Sequence, residues 1–213
     1  LAALKVSFTT VPSVSKAAAV VTGDEAEGTT PAAPTLRWTD KPILVYVCSE
    51  AGCEESEVFE NQVLKIEKVA LSTKAFRCVR MTPDQVDEDA ILKDNGKTVP
   101  RVLLVEPVKM KIDVVETKDM KAGKLAKAME KTSGKFWKER LKTVIGAHLK
   151  MLTKQDQLSN ALKTLAAKEA RYKDDEAKLK KVAAEIKETN EELAELKKAQ
   201  VELWKLTPKN TSA

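Results

Sequence analysis

From Phe136 to Leu206 the chain has no proline and a single glycine, Gly146, so little in that stretch marks the end of a helix. Residues 147–206 alone would span ~90 Å as one α-helix. Along it, Leu158, Leu165, Tyr172, Leu179, Ile186 and Leu193 recur at heptad spacing. Such a stripe predicts a coiled-coil seam. Leu162, Ala183 and Trp204 flank it on one side, and Ala161, Val182, Leu196 and Leu203 on the other. Both flanking rows are patchy, most of all between Lys168 and Glu176. A rod of this length outruns a domain of ~100 residues, so the expected cover is another helix, from a second copy or a protein partner. The alternative is a lone solvated helix held by Glu–Lys pairs four residues apart. Pro208 ends the element.

Charged residues make up 32% of the chain, which agrees with a long solvated helix. Apolar residues, at 43%, permit a core, and with aromatics at 4% that core must rest on Val, Leu, Ile and Ala. Lysines crowd residues 109–154, while Glu50, Glu54, Glu55, Glu57 and Glu60 form an acidic run. A basic stretch attracts nucleic acid or an anionic surface. Few aromatics interleave with these lysines, so a solvated helix face is the plainer account and such partners are the weaker expectation. No apolar run reaches the ~18 residues of a transmembrane segment.

Residues 1–35 read as an N-terminal extension or linker. Their first part is rich in Ala, Val, Ser and Thr, interrupted by Ser7, Thr9, Thr10 and Pro12. It fits the remnant of a signal or transit sequence, or a plain N-terminus, better than a complete secretory signal. Cytoplasmic and exported or periplasmic locations both stay open.

The middle of the chain alternates. KPILVYVC (41–48) is a continuous apolar run and predicts a strand buried on both faces. Phe59, Val63, Ile66 and Ala70 place a helix over 54–71. FRCVRM (76–81) reads as a strand. TPDQVDEDAILKDN (82–95) reads as a helix capped by Thr82 with Pro83 in its first turn and Gly96 as its stop. RVLLVEP and KIDVVE supply two more strands, and residues 119–132 a further helix. This order predicts an α/β fold, parallel pairing first and a hairpin last.

Two segments carry a family resemblance. KPILVYVCSEAGCEES (41–56) resembles the start of a thioredoxin-family domain, and KTVPRVLLV (97–105) resembles its cis-proline segment. The resemblance covers roughly residues 38–132. It implies a thioredoxin-like mixed sheet with flanking helices over 36–133, followed by the long coiled-coil helix (134–206) and a tail (207–213). It also implies that Cys53 matches the nucleophilic cysteine, that Ser56 stands where the resolving one would be, and that Pro100, with Val99 and Arg101 beside it, binds extended peptide backbone.

Three departures point away from thioredoxin-type catalysis. Ser56 cannot close an internal disulfide. The strand 43–47 offers no acidic counterpart of the family's buried Asp. Glu50, Glu54, Glu55 and Glu57 disfavour the Cys53 thiolate, which a helix N-terminus and Arg101 would favour. Cys48 is a candidate resolving thiol if a tight loop brings it to Cys53. The plainer alternative is that both are unreactive, and Cys78 reads as a core residue. His148 is the one histidine and reads as a surface or seam residue, so no metal site is expected, nor any cofactor. The leading expectation is an interaction or scaffold protein with a redox-degenerate domain. The rival is a monothiol disulfide oxidoreductase or isomerase using Cys53.

Overall fold

The computed structural model describes residues 8–10, 41–49 and 54–209, and divides the chain into two compact units. One holds the sheet and runs to Leu141, joined by the tail from Thr207; the other is residues 142–206.

In the first unit five strands form one mixed sheet: β1 (Thr9–Thr10), β2 (Ile43–Val47), β3 (Arg77–Met81), β4 (Arg101–Glu106) and β5 (Lys111–Val115). Their spatial order is β1-β3-β2-β4-β5. β2 pairs in parallel with β3, with Val45 opposite Val79, and antiparallel with β4, with Val45 opposite Leu103. β4 and β5 form the expected hairpin. Every residue of β2 is buried, as its unbroken apolar run foretold, and every residue of β4 is buried too, including the terminal Arg101 and Glu106. The reading of residues 1–35 as extension needs one correction. Thr9 and Thr10 pair with Val79 and Arg80 at the sheet edge, and the Phe8 ring lies 5.7 Å from that of Tyr46.

Strand alternation sends two sets of side chains to opposite faces. Ile43, Val45, Val47, Val79, Met81, Leu103 and Val105 form one core with Val86 and Leu92. Val86 belongs to α3 (Pro83–Glu88), where Thr82 and Gln85 cap each other reciprocally. This helix is shorter than the 82–95 expected. Asp89 accepts the backbone N–H groups of Ile91 and Leu92, turning the chain before Gly96, which sits at φ +77°. On the other face lie α1 (Glu54–Val58), α2 (Glu67–Ser72) and α4 (Ala122–Phe136). The helix expected over 54–71 is therefore not continuous. After Val58 a wider turn runs through Phe59–Val63, and Ile66 is extended before α2 begins. Phe59 and Val63 stay buried through the wider turn while Ile66 is exposed.

Phe136 and Trp137 close this unit. Their rings meet edge to face at 4.7 Å, and the Trp137 indole donates to the Ala75 carbonyl at 3.1 Å. The tail returns here: Lys138 N–H donates to Thr207 O and Lys209 N–H to Phe136 O, both at 2.8 Å.

The second unit corrects the single rod. The stretch is two helices, α5 (Leu141–Arg171) and α6 (Glu176–Leu203), running antiparallel. Gln200 donates to Gln155 at 3.1 Å, Trp204 donates to His148 at 3.1 Å, and Lys154 pairs with Glu192 at 3.2 Å. The turn falls in the patchy zone, between Lys168 and Glu176. There both rows flanking the stripe turn charged, leaving Tyr172 without apolar neighbours on either side of the seam, and Asp175 caps α6 by accepting the Lys178 N–H at 3.1 Å. Leu165 and Val182 are buried; Leu158, Tyr172, Leu179, Ile186 and Leu193 are half-buried. Each half of the stripe therefore faces a helix of the same chain. The expectation that cover must come from another molecule does not hold.

Candidate functional site

The site assembles where β2 ends and α1 begins. β2 delivers Cys48, which is 2% exposed and whose N–H donates to Met81 O at 3.1 Å, prolonging the pairing with β3. Cys53 and a Cys48–Cys53 pair lie outside the described residues. Ser56, in α1, is buried.

The Cys48 sulfur accepts a hydrogen bond from Arg80 Nε at 2.9 Å. Arg80 Nη1 pairs with Glu60 Oε1 at 3.7 Å, and its guanidinium lies 5.8 Å from the Tyr46 ring centre. Tyr46 in turn packs on Phe59 at 5.0 Å. Burial works against the Arg80 charge, but Cys48, Glu60 and Tyr46 together hold its pKa above the ordinary value. Burial also pushes the Tyr46 hydroxyl up, with the buried Ser56 side chain working the other way. Sequence reasoning missed this Cys48–Arg80–Glu60 set. Its outward sign is Arg80, an arginine set between the buried Val79 and Met81.

Beside it, Glu54, Glu55, Val58, Phe59, Val63, Pro100, Thr117 and Met120 line a groove of about 340 Å³. The Val99–Pro100 peptide bond is cis. Thr117 Oγ1 donates to the Pro100 carbonyl at 2.6 Å, fixing the segment against the turn after β5. The groove has apolar walls, and two glutamates from the first turn of α1 form its rim. Val58 is 44% exposed there.

This sheet order, the helix starting just past β2 and the cis peptide before β4 agree with a family model, described as thioredoxin-like, that matches residues 32–107. The chain contains a thioredoxin-like domain. No curated protein matches the chain.

Within the thioredoxin-like domain, Val99 is half-buried and outside the groove wall. Arg101 is buried and belongs to the opposite face. Its Nη1 donates to Thr98 O at 3.0 Å, and burial lowers its pKa while the charges of Asp87 and Glu116 oppose that. It was expected to favour a thiolate beside α1, yet it looks toward α3. β4 sets that direction: Arg101 stands opposite Val47, so it shares the face of Ile43, Val45 and Val47. Cys78 is buried in β3, where loss of solvation pushes its thiol up to about 12. His148 lies in the second unit and is buried, with Nδ1 accepting the Trp204 indole N–H. Among the described residues no group of His, Cys, Asp and Glu could hold a metal ion. No described helix is long and apolar enough to cross a membrane.

Proposed function

We propose that this is an interaction protein whose thioredoxin-like domain docks an extended segment of a protein partner in the groove beside Pro100. The observation that carries this reading is the groove itself. It is concave, apolar-walled and open, with Pro100 at one wall and Val58, Phe59 and Val63 at the other. Ser56 occupies the position that the family resemblance gives to a resolving cysteine, so the domain is read as redox-degenerate. The helical hairpin is a coiled coil closed within the chain. It is read as a partner-binding arm, not a device that joins two copies.

A second reading keeps Cys53 as the nucleophile of a monothiol oxidoreductase or isomerase, with Cys48 as a resolving thiol. One observation favours it: the Arg80 guanidinium against the Cys48 sulfur is the arrangement that stabilises a thiolate. Iodoacetamide labelling of Cys53 against pH separates the two. A Cys53 pKa near or above the free value of about 8.5 supports the docking module, and one below ~7 supports the thiol enzyme.

A further inference from the structure

The tip of the β4–β5 hairpin is built against the usual rules for a turn. Between Glu106 and Lys111 the chain reads Pro107-Val108-Lys109-Met110. Glu106 is buried, and its carboxylate holds the turn from inside: Oε1 accepts Val108 N–H at 2.8 Å and Oε2 accepts Lys109 N–H at 3.1 Å. Met110 lies in the left-handed region at φ 51°. Glycine or asparagine takes that conformation at least cost. Here a large apolar side chain takes it and is left 38% exposed, with Val108 52% exposed beside it. Neither side chain serves the core, and neither suits the turn. An unfavourable backbone conformation kept at an exposed apolar residue marks a position selected for something outside the fold.

The two charged side chains that flank Met110 are both basic. Lys109 and Lys111 are exposed and flank Met110 on both sides. Lys111 projects to the same face of β5 as Asp113, which meets Lys131 at 3.7 Å and Lys135 at 3.0 Å from the last turns of α4. Glu106, the one carboxylate of the tip, is turned inward. The tip therefore presents two apolar side chains flanked by two ammonium groups, on a turn held by the Glu106 carboxylate.

We propose that this tip docks on an anionic lipid surface, with Val108 and Met110 entering the headgroup–acyl boundary and Lys109 and Lys111 pairing with lipid phosphates and carboxylates. Charge complementarity supplies the attraction, and the exposed aliphatic pair selects lipid over nucleic acid. Single-strand recognition relies on aromatic stacking platforms, and the tip has no aromatic side chain.

Co-sedimentation of the full chain with vesicles tests this. Phosphatidylcholine vesicles containing ~30% phosphatidylserine supply the anionic surface. The expected result is binding that is lost on pure phosphatidylcholine and weakens as salt rises. V108S/M110S and K109E/K111E should each reduce it about tenfold or more, with circular dichroism unchanged. Three outcomes overturn the proposal: no sedimentation with anionic vesicles, equal sedimentation of wild type and both variants, or binding abolished by K109E/K111E yet unaffected by V108S/M110S. The last pattern, with matching retention of single-stranded DNA, would assign the tip to polyanions in general.

Discussion

The indole N–H of Trp204 donates to Nδ1 of His148 across 3.1 Å, tying the end of α6 to the first turns of α5. His148 is 2% exposed, so its ring nitrogen depends on protein donors rather than water. Trp204→Phe keeps an aromatic ring and removes the donor. A buried acceptor stripped of its donor costs ~1–3 kcal/mol. Urea denaturation should show that loss with an unchanged slope, and no change in midpoint would mean the bond contributes nothing.

The hairpin itself is open to a distance measurement. Gln155 and Gln200 touch across the two helices, so spin labels at these two positions should couple at short range. That coupling should survive dilution with unlabelled protein, because both labels sit on one chain. A signal that disappears on dilution would indicate pairing between copies.

Gly96 resists substitution for two reasons. Its φ is +77°, and an added Cβ would lie 2.8 Å from Glu116 Oε1 and 3.1 Å from Val114 Cγ1. Gly96→Ala should lower stability by ~1–3 kcal/mol. Chemical denaturation checks it, with Gly123→Ala as the control, since a Cβ there meets nothing within 4 Å.

Asp113 accepts hydrogen bonds from Lys135 and Thr132. Its partial burial pushes the pKa up, but those bonds and the charges of Lys135 and Lys131 outweigh this, and the pKa ends below the ordinary value. A carboxyl depressed in this way stabilises the fold above its unfolded pKa of about 3.9 and loses that contribution as pH falls through the folded value. Acid titration of wild type against Asp113→Asn should therefore show the stability gap narrowing below about pH 4. A constant gap would contradict the assignment.

The sheet was the most legible part of the sequence. The apolar runs at 43–47 and 102–105 have no alternation, and a strand buried on both faces is what such runs make. Thr82 and Pro83 announced the start of α3 equally plainly, whereas its end depended on the Asp89 side chain capturing two N–H groups, which no hydrophobic period reveals. The long helix was misread for a similar reason. Without glycine or proline, the turn at 172–175 was hidden, although the charged gap between Lys168 and Glu176 and the capping Asp175 were both in view. Phe59 and Val63 read as the inward face of one helix over 54–71, and their place in a groove wall accompanies the widened turn after Val58. Arg80 meets Cys48 through pairing of β2 with β3, a contact between residues distant in sequence.

The central claim is that the groove beside Pro100 binds a partner segment without thiol chemistry. Capture of an extended-peptide library by the full chain, compared with Cys53→Ser and Val58→Glu, tests it most directly. The expected result is that Cys53→Ser retains the captured peptides and Val58→Glu, which puts a charge on the apolar wall, loses them. Capture abolished by Cys53→Ser and untouched by Val58→Glu would contradict it and leave the thiol as the working group.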